Sequence, residues 1–130
     1  MKIQFLGAAR EVTGSKHLIT PNSGHKILLD CGMYQGKGME TDAANRELGF
    51  DPKDIHYLLL SHAHIDHSSL IPLLYKNGFK RQIYATEATC ALCNIMLRDS
   101  AHIQESEAQW RSRKAERAGE PLVEPTYTVN

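Results

Sequence analysis

Apolar positions fall into short alternating or continuous runs in the first half of the chain and into helical spacing in the second. Residues 2–6 (KIQFL) alternate, with Ile3 and Phe5 on one face, and predict a strand. Residues 7–14 (GAAREVTG) form a connection bounded by glycines, and residues 15–20 (SKHLIT) predict a second strand. Pro21-Asn22-Ser23-Gly24 is a turn signal, and residues 26–30 (KILLD) follow as a third strand. Short turns between three strands predict an antiparallel start. Ile27, Leu28 and Leu29 are contiguous, a pattern expected of a strand covered on both faces, and residues 55–60 (IHYLLL) repeat it. Residues 39–48 (METDAANREL) predict a short helix between these two runs, with Gly49 beyond it.

Leu70, Ile71, Leu73 and Leu74 take helical spacing, and Pro72 fits only in a first turn. Asn77-Gly78 is a helix stop, and residues 82–85 (QIYA) predict a short strand. From Thr86, a capping residue, the pattern is helical as far as Gly119 and Pro121. Met96, Ile103 and Trp110 recur at intervals of seven and mark one stripe of that helix. No internal repeat or low-complexity segment interrupts the chain.

The length of 130 residues suits one small domain. A hydrophobic content of 42% with 23% charged residues excludes a disordered chain. Lys+Arg and Asp+Glu are both 15, so the whole molecule has no electrostatic footprint for a polyanion, although a local basic patch is compatible with that balance. No run approaches the ~20 apolar residues of a membrane helix, and residues 1–12 turn polar too soon for a secretory signal, so no membrane partner is expected. Three cysteines (Cys31, Cys90 and Cys93) do not make a disulfide framework, and a reducing cytoplasm is the simplest setting. Seven histidines is the unusual count, because three of them lie between positions 62 and 67.

That segment reads Ser61-His62-Ala63-His64-Ile65-Asp66-His67 and runs from an apolar strand into a helix. Residues two apart in extended chain point the same way, so His62 and His64 project together from the strand end. Asp66 and His67 sit where the chain turns into the helix and reach back toward the same point. Three imidazoles and a carboxylate are a ligand set for zinc, with manganese or iron as alternatives. A histidine-rich loop with Asp66 as a mere helix cap would gather these groups at a solvation cost that nothing repays.

These residues resemble the H-x-H-x-D-H signature of the metallo-β-lactamase superfamily. Residues 7–15 (GAAREVTGS), 29–36 (LDCGMYQG) and 99–105 (DSAHIQE) are similar to the β-CASP branch, whose members are mostly RNA-processing nucleases. The resemblance runs along essentially the whole chain. It implies an α/β fold, the N-terminal part of an αββα sandwich with a mostly antiparallel or mixed sheet and flanking helices. It further implies a metal-dependent hydrolase in which a hydroxide activated by two zincs attacks an RNA phosphodiester. His62 and His64 would bind one zinc, and Asp66 and His67 the other. Asp30, matching the family's acidic strand-end motif, would orient the ligands without binding metal. A complete site in that family also needs a later histidine on each metal and a bridging aspartate. After His67 only His102 remains, and its charged helical surroundings mark it as a solvated residue. The expectation is therefore that residues 1–130 form the N-terminal portion of a longer protein, without the second half of the sandwich or the β-CASP domain. Exposed apolar faces and self-association, as a homo-oligomer, follow from that expectation. The alternatives are a superfamily hydrolase acting on a thioester or lactam, or a non-catalytic scaffold, since one motif serves many reactions.

Three further features have bland readings. Cys90 and Cys93 form a lone C-x-x-C pair and read as small buried helix residues. Arg111, Arg113, Lys114 and Arg117 form a basic cluster with two readings, contact with a phosphate backbone or cations near a helix C-terminus; the second is favoured, with Glu107 and Arg111 an i,i+4 pair. His17 has two readings, a substrate contact or an exposed strand residue, of which the second is favoured, and His25 and His56 have no role.

Overall fold

The computed structural model describes all residues from Met1 to Asn130. Five short strands form one sheet in sequence order: β1 (Lys2–Phe5), β2 (His17–Thr20), β3 (Ile27–Leu29), β4 (Tyr57–Leu59) and β5 (Ile83–Tyr84). The first two pairings are antiparallel, as expected, and β3–β4 and β4–β5 are parallel. Parallel neighbours need a crossover. Helix α1 (Met39–Arg46) lies in the first crossover, and α2 (Ile65–Ser68) and α3 (Ile71–Lys76) in the second. The long α4 (Glu87–Ala118) follows β5. The result is the mixed α/β sheet with helices that the sequence predicts.

The local stops and starts act as expected. Pro72 sits in the first turn of α3, and Asn77 caps its end before Gly78, whose φ is 112°. Thr86 caps α4 by accepting a hydrogen bond from the Thr89 N–H, and Gly119 closes that helix in the left-handed conformation.

Register places Leu18, Leu28 and Leu58 in one row across β2, β3 and β4, and all three are buried. They join Leu70, Leu74 and Phe79 in the core. The opposite face is open. Phe5, Tyr57, Leu59 and Tyr84 are 66%, 40%, 39% and 47% exposed, and Ile3 is exposed beside them. The expectation that the apolar runs of β3 and β4 are covered on both faces is therefore corrected. Helices cover one face only, and the apolar residues of the other meet solvent.

The stripe on α4 also differs from expectation. Ala101, Ala108 and Ala115 are its buried heptad positions, while Ile103 is 49% and Trp110 63% exposed. Small side chains lie against the body, where the helix approaches closely, and the large ones face outward. Cys93 is buried but Cys90 is exposed, so only half of the C-x-x-C pair behaves as a core residue. Arg111 pairs with Asp42 of α1 rather than with Glu107.

Candidate metal centre

The histidine segment leaves β4 and enters α2 over a few residues, and the protein backbone clamps it from two sides. Ser15 N–H donates to the Asp66 carbonyl at 2.9 Å, and Cys31 N–H to the His67 carbonyl at 2.8 Å. Gly32 N–H in turn donates to the Ser15 carbonyl at 3.0 Å. Gly32 has to be glycine here, because a Cβ would stand 1.7 Å from the Asp66 carbonyl oxygen. The Ser68 hydroxyl donates toward the carbonyls of Ala63 and His64, at 2.9 and 3.0 Å, and is fully buried. These contacts fix the turn that carries Asp66 and His67.

The three imidazoles come together. Ring centroids are 4.8 Å apart for His62 and His64 and 4.1 Å for His62 and His67. Asp66 Oδ2 lies 3.5 Å from His67 Nε2. His62, Asp66 and His67 are half-buried and His64 is exposed, so the cluster opens to solvent. The rings touch one another, and no three His, Cys, Asp or Glu side chains present their donor atoms as a ready-made ion cage.

Asp30 organises two of these rings. It is buried at the end of β3, with a φ of 59°. Asp tolerates that left-handed conformation better than most residues. Its Oδ1 accepts from Ser61 N–H at 2.8 Å, and its Oδ2 lies 2.8 Å from both the Ser61 hydroxyl and His67 Nδ1. A carboxylate only accepts, so His67 donates through Nδ1, and the lone pair of its neutral form is on Nε2. Ser61 spends its single proton on Asp30. Its oxygen, 2.9 Å from His62 Nδ1, therefore accepts from His62, which leaves the His62 lone pair on Nε2 as well. Ser61 was not among the residues singled out from the sequence. A serine between a strand and a histidine has no distinctive signature, and only its place between Asp30 and His62 gives it a role.

This donor set fits a zinc ion: two imidazoles with their outer nitrogens engaged, a third close by, and a carboxylate. His102 is exposed on α4, as expected. His17 departs from expectation: it is half-buried, packed edge-on against Phe5 at 5.3 Å, with a buried Nδ1 that has no partner. Two open cavities, of about 570 and 720 Å³, border Tyr34 and Gln35, and neither is lined by a histidine of the cluster.

Comparison with known proteins assigns the class. The profile of the metallo-beta-lactamase superfamily matches residues 11–130, and the chain belongs to that superfamily. Ribonuclease TTHA0252 of Thermus thermophilus is 46% identical over 105 residues, which is 81% of this chain and 24% of that protein. Cleavage and polyadenylation specificity factor 73 of Drosophila melanogaster is 38% identical over 101 residues, 76% of this chain and 14% of that protein. The first is named a ribonuclease and the second a cleavage and polyadenylation factor, in line with the RNA-processing branch that the resemblance implied. A solved metallo-β-lactamase HARLDQ-motif mutant from Cronobacter sakazakii overlays 98% of this chain and 42% of that one, at 22% identity and a TM-score of 0.48. The chain thus spans about a quarter or less of the length of these curated relatives. No helix is long and apolar enough to cross a membrane.

Proposed function

We propose that residues 1–130 carry the first ligands of a zinc-dependent ribonuclease centre and form the N-terminal portion of its metallo-β-lactamase domain. The observation that carries this reading is the Asp30 network. One buried carboxylate engages the Nδ1 of His67 directly and that of His62 through Ser61. Both Nε2 atoms are thereby free to bind metal. His62 and His64 hold one zinc and Asp66 and His67 the other. Zinc, when bound, supplies Lewis acidity toward a phosphoryl oxygen and lowers the pKa of water, and manganese is the alternative ion. Asp30 and Ser61 engage the Nδ1 atoms, turn Nε2 outward and stop the rings from rotating. Asp66 is the one carboxylate among the four proposed ligands. RNA is the substrate class that the names of the ribonuclease relatives support. The free cysteines suit a cytoplasmic setting, and the open sheet face supports self-association of the 130-residue chain.

Zinc titration of the 130-residue chain against a competing chelator tests the ligand assignment. Asp30→Asn keeps the shape but loses the charge that holds His67 and Ser61, and is expected to weaken zinc binding by about 10- to 100-fold. Unchanged affinity in Asp30→Asn, or in His64→Ala, overturns the assignment. Cleavage is expected of the protein at its relatives' full length, and it is read on a short RNA beside a chromogenic lactam. Lactam turnover without RNA cleavage would replace the RNA reading with the other hydrolase class.

A further inference from the structure

Trp110, Arg113, Lys114 and Arg117 stand at i, i+3, i+4 and i+7 and therefore share one face of α4. Trp110 is two residues from the buried Ala108, about 200° around the helix, so this face points away from the body. Trp110 is 63% exposed, an unusual position for the largest apolar side chain. Lys114 Nζ lies 5.8 Å from its ring centroid. Arg113, Lys114 and Arg117 are all exposed, and none takes part in an ion pair. The neighbouring Arg111 is different, because it is committed to Asp42 on α1. Glu116 is the only acid between Trp110 and Arg117, with Glu107 and Glu120 bordering the stretch.

Cations in a last helical turn complement the helix dipole, and that accounts for Arg117. It does not account for an indole left in water beside three unpaired cations, where the half charge of a helix end is already exceeded. An exposed aromatic ring among unpaired cations is the chemistry that stacks an unpaired base and holds its phosphates. A base inside a duplex has no free face for such a ring, so the surface fits a single strand.

We propose that this face of α4 is a docking platform for single-stranded RNA, with Trp110 stacking on a base and Arg113, Lys114 and Arg117 contacting about three phosphates. The platform is separate from the histidine cluster. Near the start of α4 the Cys93 thiol meets the side chain of Ser68, the residue after His67, and Trp110 lies about 25 Å further along the helix at ~1.5 Å per residue. The choice of RNA rests on the ribonuclease reading, while the platform itself rests on charge and exposure.

Trp110 is the one tryptophan of the chain, so its fluorescence reports stacking directly. The 130-residue chain is titrated with a roughly 12-nucleotide oligouridylate, in chelator and at low salt, a length within the range of single-strand sites. Saturable quenching is expected, with log K falling against log salt at a slope of about −2, or ~0.7 for each of three phosphates. The triple variant R113A/K114A/R117A is expected to lose at least about tenfold in affinity while keeping its helix content by circular dichroism. Anisotropy of labelled RNA reads Trp110→Ala, for which a loss of about tenfold is expected from the lost stacking. Duplex RNA and heparin are expected to bind more weakly than the single strand. Absent quenching, an unaffected triple variant, or heparin binding as tightly as RNA would each overturn the proposal, the last by making the face a general polyanion or acidic-protein surface. Binding is read without metal, so failure here leaves the zinc centre untouched, and failure of zinc binding leaves the platform standing.

Discussion

Lys16 is the residue whose environment departs furthest from what its chemistry prefers. Its side chain is 1% exposed, its ammonium lies 4.9 Å from the Tyr34 ring centroid, and its one acceptor is the Gly32 carbonyl at 3.3 Å. Burial holds its pKa below the usual 10.5, against a smaller opposing effect of Cys31. The Cys31 thiol is pushed up to about 12, chiefly by burial, and so is neutral at physiological pH. Lys16 thus costs stability when protonated. At any pH between its lowered folded value and 10.5 the unfolded chain holds more protons, so stability rises with pH across that window. Cys31 acts in the opposite sense only above pH 9, where the unfolded thiol ionises and the folded one does not. Replacing Lys16 by Met removes a buried charge whose desolvation costs several kcal/mol and orphans one carbonyl worth about 1–3 kcal/mol. Lys16→Met is therefore expected to stabilise the chain at pH 7, by urea unfolding, and to remove the rise in stability with pH between the lowered Lys16 value and 10.5. A destabilised variant would show that the amine's bond to Gly32 outweighs its desolvation.

Elements were legible in the sequence where the signal is local. The ends of α3 and α4 follow from Pro72, Gly78, Thr86 and Gly119, each of which acts on backbone within a few residues of itself. The histidine segment was legible for the same reason, since six consecutive residues bring three imidazoles and a carboxylate to one end of the sheet. What was not legible depends on partners distant in sequence. The Ala101, Ala108 and Ala115 stripe has no strong hydrophobic signal, yet it is the buried one, and Trp110 has the strongest and is exposed. Asp30 stood out only through family resemblance, and Ser61 not at all, because their roles need a carboxylate and a hydroxyl to meet across 31 residues. The Thr86 cap supplies a test at this scale. Its hydroxyl oxygen is 3.3 Å from Thr89 N and its proton reaches Thr89 Oγ1 at 3.0 Å. Thr86→Ala is expected to cost about 1 kcal/mol in urea unfolding. No loss would mean that water satisfies the first turn of α4 equally well.

For the whole molecule the one-sided sheet decides behaviour. A sheet whose apolar side chains alternate faces must bury both rows or leave one in water. Leu18, Leu28 and Leu58 are buried, while Phe5, Tyr57, Leu59 and Tyr84 keep 39–66% of their surface exposed on the other side. Burial releases roughly 25 cal/mol per Å² of apolar surface, so a contiguous apolar face across five strands favours any contact that covers it. The 130-residue chain is therefore expected to self-associate as its concentration rises, measured by sedimentation velocity. Leu59→Lys places a charge at the centre of that face, opposite Leu29 and Tyr84 in register, and is expected to shift the distribution toward monomer. The same substitution leaves Asp30 and the histidines in place, so zinc affinity is expected to stay within a few fold of the parent chain. Monomeric behaviour of the parent at high concentration would mean that the exposed rows are too dispersed to act as one patch. Loss of zinc binding together with association would mean instead that this face supports the strand ends from which the ligands project.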